Sequence, residues 1–191
     1  MADGRYAAYL FDFDGTLADT DEINLRSARA GLAAHGVEVE WEWISAEPLT
    51  TIDRLRQRLG LLPVDVPDGS FVAAAREYWL AHAEQVRAIP ETVAVLREVA
   101  AAGPVAVVSD NDGQVVWTAL ASAGLAGVVG AVVAREHVRR LKPAPDSYLL
   151  AARLLGAEPT RCVAYENSDE GITAAGAAGM DVIDVRARAR R

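Results

Sequence analysis

The stretch AAYLFDFDGTLADT (residues 7–20) decides the fold class, because a short apolar run leads directly into two closely spaced carboxylates. The run AAYLF (7–11) is typical of a parallel strand that is buried on both faces. Asp12 and Asp14 are two residues apart, so in extended geometry both carboxylates project to one side. Gly15 then lets the chain leave the strand sharply. A hairpin turn at this glycine is the alternative, but a helical pattern follows rather than a second alternating strand.

Four further apolar runs predict the other strands of a five-stranded sheet. They are VAVVS (105–109), GVVGAVV (127–133), CVAY (162–165) and DVIDV (181–185). Helical segments separate them, and strands that alternate with helices form a parallel sheet covered on both faces. The predicted fold class is therefore α/β, a doubly wound, Rossmann-like parallel sheet.

The segment between the first two strands follows a different pattern. Helical runs punctuated by proline and glycine fill it: DEINLRSARAGLAAHG (21–36), TIDRLRQRLG (51–60) and SFVAAAREYWLAHAEQV (70–86). We expect an α/β core domain of residues 1–17 and 89–191 and a helical cap domain of residues 18–88. Such an insertion would stand over the carboxyl edge of the sheet, where open α/β sheets bind ligands.

The amino-acid composition limits the classes of binding partner and indicates the cellular compartment. The formal net charge of −8 argues against nucleic acid or an anionic membrane as the main partner. Cys162 is the single cysteine, so no intrachain disulfide is possible and a reducing compartment is expected. The amino-terminal residues lack the apolar run of a signal peptide, and no apolar stretch approaches the roughly 20 residues that span a bilayer. We expect a cytoplasmic protein and a monomer.

Polar residues at the ends of further strands complete a candidate site. Ser109 ends the second strand, where its hydroxyl and the N–H groups of a turn could hold a phosphate oxygen. Lys142 could neutralise the charge of a phosphate and of nearby carboxylates. Glu166 and Asn167 follow the fourth strand. Each residue alone has a structural explanation as a turn, surface or cap residue. Together they lie at the carboxyl ends of successive strands, which is the edge of the sheet where a single active site would form.

With these motifs the chain resembles the haloacid dehalogenase-like hydrolase superfamily, and within it the group related to β-phosphoglucomutase and small sugar-phosphate phosphatases. The segment DFDGT (12–16) looks like the first motif of that family and VVS (107–109) like the second. KPAPD (142–146) looks like the third motif and YENSDEGITAAGAAGM (165–180) like the fourth. The resemblance covers nearly the whole chain in the same order and spacing.

The resemblance implies a phosphoryl-transfer mechanism. Asp12 would attack phosphorus and form an aspartyl-phosphate, while Asp14 would protonate the leaving oxygen and then activate water. The transferring phosphoryl group would be held by Ser109 and Lys142. Mg²⁺ would be bound by Asp12, the backbone carbonyl of Asp14, Glu166 and Asn167. The remaining candidates for phosphate or substrate binding are Gly15, Thr16, Asp110, Asn111 and Asn24.

Three positions depart from the family pattern. The fourth motif usually reads Glu-Asp-Ser, whereas here Asn167 replaces the aspartate and removes one negative charge from the metal site. We hypothesise that Glu166 compensates as a ligand and that magnesium binds more weakly. Asn24 occupies a position that is often histidine in relatives. Thr51 stands where the mutase pattern has an arginine that would help to seat a sugar phosphate.

These observations predict a magnesium-dependent phosphatase that acts on a small phosphorylated metabolite, such as a sugar or polyol phosphate. A β-phosphoglucomutase-like phosphomutase is the alternative enzyme, disfavoured by Thr51 and Asp110. A catalytically weakened binding or regulatory protein, motivated by Asn167, is the alternative from another class. Asp14 argues against carbon–halogen cleavage, because superfamily members that catalyse it lack this second aspartate.

Overall fold

The structure, a computed structural model, describes residues 5–46, 55, 60 and 68–187. The chain divides into two compact units, Met1–Asp19 with Arg87–Arg191 and, separately, Thr20–Val86. The first unit carries the sheet, and the second is helical. The interpretation of the second unit as a cap stays a prediction.

The elements are numbered in chain order. The strands are β1 (Ala8–Asp12), β2 (Ala18–Asp19), β3 (Arg87–Ala88), β4 (Val105–Val108), β5 (Ala131–Val133), β6 (Cys162–Glu166) and β7 (Asp181–Asp184). The helices are α1 (Asp21–Ala33), α2 (Trp41–Ser45), α3 (Asp68–Ala81), α4 (Pro90–Ala100), α5 (Gly113–Ser122), α6 (Asp146–Leu154) and α7 (Asp169–Ala177). Short 3₁₀ turns cover Ala83–Gln85, Arg135–His137, Pro159–Arg161 and Val185–Ala187. Within the described ranges, none of the helices is both long enough and apolar enough to cross a membrane.

Five strands form one parallel sheet in the order β5-β4-β1-β6-β7. β1 lies at the centre, and every residue in it is buried, as its apolar composition predicts. Because all five strands run in one direction, their carboxyl ends meet at one edge of the sheet. The predicted α/β, doubly wound, Rossmann-like fold is confirmed.

One face of the sheet is covered by helices α6 and α7. Their small side chains let the helix axes approach the strands, and the cluster that results is fully buried. It contains Ala8, Leu10, Ala106, Val108, Val133, Tyr148, Ala151, Ala152, Cys162, Ala164, Ala174 and Ala175. Side chains alternate between the two faces of a strand, so Phe11 projects away from this cluster and its ring stacks on Tyr165 at 4.4 Å between centroids.

The loop after β1 is a tight turn that leads into a new strand pair. Gly15 has a φ of +73°, a left-handed conformation that favours glycine. The Phe13 carbonyl accepts the backbone N–H groups of Thr16, Leu17 and Ala18. β2 then pairs antiparallel with β3 and not with β1. The alternative of a β-hairpin at Gly15 is therefore wrong.

One strand is shorter than predicted, and one strand pair was not predicted. The strand predicted over 127–133 is formed only over Ala131–Val133, because the N–H groups of Val128 and Val129 turn back to the carbonyl of Leu125. The β2–β3 pair was not predicted, since two-residue strands are too short to show an alternating pattern. Most of the helix predicted over 51–60, with Thr51, lies outside the described residues.

The helical unit has a core of its own between α1, α2 and α3. Leu32 and Ile44 are fully buried there, and Phe71 of α3 packs beside them. Gly31 of α1 faces Phe71, and a Cβ at this position would lie 2.7 Å from its ring and 3.0 Å from its backbone carbonyl. The absence of a side chain at Gly31 therefore allows the two helices to approach closely.

We predict that Gly31→Ala destabilises the helical unit by about 1–3 kcal/mol, because the added methyl group overpacks a closed contact. Urea unfolding followed by tryptophan fluorescence measures this, since Trp41, Trp43 and Trp79 all lie in that unit. The matched control is Gly176→Ala on α7, where a Cβ meets no atom within 4 Å. The control should be neutral or gain about 0.5 kcal/mol from helix propensity. Equal effects of the two substitutions would contradict the close contact at Gly31.

Candidate active site

Asp12 ends the central strand and carries one engaged and one unengaged oxygen. Its Oδ1 accepts a hydrogen bond of 2.6 Å from Lys142 Nζ, whereas Oδ2 is buried and has no hydrogen-bond partner. Burial and the Glu166 charge raise the pKa of Asp12 to about 8, and Lys142 acts in the opposite direction. A buried carboxylate oxygen without a partner is unfavourable, so this position favours a bound cation.

Lys142 is buried between two carboxylates. Its Nζ donates to Asp12 Oδ1 and Glu166 Oε1, each at 2.6 Å, and to the Val108 carbonyl at 3.2 Å. Burial alone would lower the pKa of Lys142, but Asp12, Tyr148 and Glu166 raise it well above its usual value. The lysine therefore remains charged. Removal of one partner from a buried ion pair of this kind costs about 3–5 kcal/mol.

Asp14 lies on the turn after β1 and contacts the loop that follows β4. Ser109 Oγ donates to Asp14 Oδ2 at 2.9 Å, and Asn111 Nδ2 donates to Asp14 Oδ1 at 3.2 Å. The backbone N–H of Asn111 in turn donates to Ser109 Oγ. Ser109 and Asn111 thus orient the Asp14 carboxylate. Their predicted contact with a phosphate stays a prediction.

Asp110 contacts the backbone that carries Lys142. The Lys142 N–H donates to Asp110 Oδ2 at 3.1 Å and to Oδ1 at 3.4 Å. Burial raises the pKa of Asp110, while the Lys142 charge and N–H lower it. The geometry favours a role in fixing the Lys142 loop over the predicted contact with phosphate, because the carboxylate would repel an anion.

Glu166 ends β6 and is completely buried. Its Oε1 accepts from Lys142 Nζ and from the Tyr148 hydroxyl, the latter at 2.8 Å. Its Oε2 accepts from the N–H groups of Asn167 and Ser168 and from Ser168 Oγ, at 3.0–3.2 Å. A Cβ at Gly171 would overlap this carboxylate, so the glycine leaves the space that Glu166 fills. The predicted metal-ligand role of Glu166 stays a prediction, and these contacts favour a different role.

Asn167 lies beside the turn that follows β1. A Cβ at Gly15 would overlap the Asn167 amide, so the two residues are in close contact. Thr16 is fully buried, and its backbone carbonyl accepts from the Thr92 hydroxyl. The contacts of Gly15 and Thr16 are those of a structural turn, and their predicted contact with phosphate stays a prediction.

The residues present fit a magnesium ion. Hard divalent cations prefer carboxylate, carbonyl and amide oxygens. Asp12 Oδ2 is a buried carboxylate oxygen without a hydrogen-bond partner. Asp14, whose backbone carbonyl is a candidate ligand, follows two residues later, and the Asn167 amide lies against Gly15 of the same turn. Among the described residues no group of three or more His, Cys, Asp and Glu side chains is arranged to hold a metal. Asp12 Oδ2, the Asp14 carbonyl and the Asn167 amide oxygen are therefore the candidate ligands for a cation here.

Asn24 belongs to the helical unit. Its Oδ1 accepts from Trp79 Nε1 at 3.0 Å, and its Nδ2 donates to Thr20 Oγ1 at 3.3 Å. Trp79 is buried. The contacts of Asn24 join α1 to α3, and its predicted contact with substrate stays a prediction.

Comparison with known proteins decides the family. The model of the haloacid dehalogenase-like hydrolase family matches residues 9–185, which span the strands and loops described above. The chain belongs to this family. The match confirms the family and the hydrolase class that were predicted from the sequence.

Individual relatives of this hydrolase agree with that assignment. This chain is 36% identical over 186 residues to the fructose-1-phosphate phosphatase YqaB of Escherichia coli, and the match covers 95% of this chain and 97% of the relative. This chain is also 34% identical over 192 residues to hexitol phosphatase A of the same organism, and the match covers 97% of this chain and 85% of the relative. The crystal structure of a CbbY mutant from Rhodobacter sphaeroides in complex with xylulose-(1,5)-bisphosphate superposes with a TM-score of 0.80 at 27% identity, covering 94% and 85%. These names support the predicted phosphatase class.

The structure adds three residues of this hydrolase that sequence reasoning missed. Tyr148 looked like an apolar helix residue, but its hydroxyl contacts Glu166. Gly171 lies in the fourth motif, but its close approach to the Glu166 carboxylate could not be predicted from the sequence. Glu136 accepts the N–H of Gly113 at 3.0 Å and so joins the loop after β5 to the start of α5. Glu136 follows a strand end, but a polar side chain at such a position is too common to single it out. Tyr148 and Gly171 lie on helices, where no sequence pattern distinguishes them.

We predict that Asp110→Ala lowers kcat by about tenfold, because the Lys142 N–H loses a charged acceptor. Asp110→Asn keeps an acceptor oxygen and should stay within about threefold of the wild type. Steady-state kinetics measures both. The control is Asp112→Ala, which removes the hydrogen bond to the Gln114 N–H at the start of α5 without touching Lys142. A fall in KM for both Asp110 variants would show instead that Asp110 faces the anionic substrate.

Proposed function

We propose that this chain is a magnesium-dependent phosphatase that hydrolyses a small sugar or polyol phosphate through an aspartyl-phosphate intermediate on Asp12. The observation that carries the proposal is the Asp12 carboxylate, with one oxygen held by Lys142 and the other buried without a partner. Asp14 lies two residues away and is held by Ser109 and Asn111. These contacts support the proposed roles of Asp12 as nucleophile and Asp14 as acid–base group at one sheet edge.

In the first step the Asp12 carboxylate attacks phosphorus. The new Asp12 oxygen–phosphorus bond forms as the bond from phosphorus to the ester oxygen breaks. Asp14, in its protonated form, gives its proton to the departing oxygen, so the sugar or polyol leaves as a neutral alcohol. Lys142 offsets the negative charge that gathers around Asp12 and the phosphoryl oxygens.

In the second step the same two aspartates act in reverse roles. Asp14, now ionised, accepts a proton from water as the water oxygen bonds to phosphorus. The bond between Asp12 and phosphorus breaks, inorganic phosphate is released and the Asp12 carboxylate is restored. The hydrogen bonds from Ser109 and Asn111 keep Asp14 oriented in both steps.

The metal would be held by Asp12, the Asp14 carbonyl and Asn167. A bound Mg²⁺ supplies positive charge that neutralises the phosphoryl oxygens and lowers the repulsion between two anions. Because Asn167 contributes no charge, we propose that this hydrolase binds magnesium more weakly than a site with an aspartate at that position.

The names of the relatives suggest the substrate class. Fructose-1-phosphate phosphatase and hexitol phosphatase A act, by their names, on phosphate esters of a ketose and of hexitols. CbbY is seen with a pentulose bisphosphate. All three are small polyhydroxylated phosphate esters, and we propose that class for this chain.

We predict that the protein releases inorganic phosphate from at least one of fructose-1-phosphate, a hexitol phosphate, xylulose-(1,5)-bisphosphate and an aryl phosphate. Release should require magnesium and fall by about 10³-fold or more in Asp12→Asn, because the nucleophile is lost. The matched control is Asp19→Asn on the exposed end of β2, which should leave the rate unchanged. Release that survives chelation of metal, or that persists in Asp12→Asn, would contradict the proposal.

A further inference from the structure

Tyr148 and Glu166 form a buried cluster with Lys142. The proposed chemistry assigns a role to Lys142 but none to Tyr148 or Glu166. The Tyr148 hydroxyl donates to Glu166 Oε1 at 2.8 Å, and the Lys142 Nζ lies 5.3 Å from the centre of the Tyr148 ring. Tyr148 and Glu166 are both completely buried, and Lys142 nearly so. Neither Tyr148 nor Glu166 contacts Asp12 in the hydrogen bonds described, and the hydrogen-bonded path from both residues to Asp12 runs through the lysine.

We propose that Glu166 and Tyr148 are positioning residues that hold the Lys142 ammonium against Asp12, and that Glu166 binds this lysine rather than the metal ion. The inference rests on the proposed function, because it assigns these residues to the same reaction. Among the residues that the structure describes, it leaves Asp12 as the carboxylate with a buried oxygen that has no hydrogen-bond partner and could bind a cation.

The hydrogen-bond inventory of Glu166 supports this assignment. An ionised carboxylate has about four lone-pair directions. Glu166 already accepts from five donor groups and has no exposed surface. A cation at Oε1 would also stand next to the Lys142 ammonium, which is 2.6 Å from that oxygen, and the two positive charges would repel.

The surroundings of Glu166 keep it in this orientation. Its Oε2 is held at the start of α7 by the N–H groups of Asn167 and Ser168 and by the Ser168 hydroxyl. Gly171, one turn into the same helix, leaves room for the carboxylate and would clash with it if it carried a Cβ. A rotation of Glu166 toward a cation would break these contacts together.

The same contacts occupy all three N–H donors of the Lys142 ammonium. An ammonium group has three N–H donors, and Lys142 directs them at Asp12 Oδ1, Glu166 Oε1 and the Val108 carbonyl. The Tyr148 hydroxyl holds the Glu166 oxygen that the lysine contacts. The positive charge is therefore fixed beside the nucleophile instead of moving along a flexible side chain.

The test separates metal binding from catalysis. Calorimetric titration of metal-free protein with Mg²⁺ gives the Kd, and steady-state kinetics at saturating magnesium with the best compound of the panel gives kcat and KM. Tyr148→Phe should lower kcat by about three- to tenfold, and Glu166→Gln by about 10²-fold. Both should keep the magnesium Kd within about threefold of the wild type. Asn167→Asp should tighten the Kd by about tenfold, which shows that the titration responds to ligands.

The double variant distinguishes positioning from general damage to the fold. Since Tyr148 acts through Glu166, Tyr148→Phe should lower kcat no further in the Glu166→Gln background. Tyr9→Phe, at a buried tyrosine on the first half of β1, is the matched control and should leave kcat unchanged.

Other results would overturn the inference. A Kd weakened by about tenfold or more in Glu166→Gln, with kcat restored by added magnesium, would make Glu166 a metal ligand. If Glu166→Gln does not fold, Tyr148→Phe decides alone, and an unchanged kcat overturns the inference. A wild-type protein that releases no phosphate from any compound contradicts the proposed function instead, and the magnesium titrations still test the assignment of Glu166.

Discussion

A lysine ammonium buried between two carboxylates is the interaction on which the α/β unit depends. Lys142, Asp12 and Glu166 arrive from three different segments, and the lysine is separated from the two acids by 130 and 24 residues along the chain. Three buried charges are tolerated only when each is paired and hydrogen-bonded. The fold therefore has to bring together the ends of β1 and β6 and the loop before α6. The turns and helices around these three segments hold them in contact.

The charge balance of this cluster connects stability with function. Burial raises the pKa of Asp12, and the excess of negative charge from two carboxylates beside one ammonium raises it further. Its Oδ2 is buried without a hydrogen-bond partner. Such an arrangement is costly for the isolated protein, and the metal proposed above would offset this cost. Groups that are strained in this way concentrate at functional sites. Asp110 accepts the backbone N–H of Lys142, and the Tyr148 hydroxyl donates to the Glu166 oxygen that the lysine contacts.

Much of the fold could be predicted because it depends on local pattern. The buried strand at β1, the alternation of strands and helices, and the meeting of strand ends at one edge follow from apolar periodicity and the geometry of parallel sheets. Asp12 and Asp14 could be predicted for the same reason. The hydrogen-bond partner of each polar side chain could not be predicted, since it depends on distances between segments that are far apart in sequence. Asp110 was expected to face phosphate and contacts the Lys142 backbone, and Tyr148 was not distinguished from a core residue.

The central claim is that Asp12 carries the phosphoryl group during turnover, and trapping of that species tests it most directly. Asp14→Asn should still react with an aryl phosphate, whose leaving group needs little protonation, but should fail to activate water. After acid quenching, mass spectrometry of the peptide that contains residue 12 should show one phosphoryl group on Asp12. Release of the aryl alcohol without a phosphoryl group on Asp12, or with the group on another residue, would contradict the account.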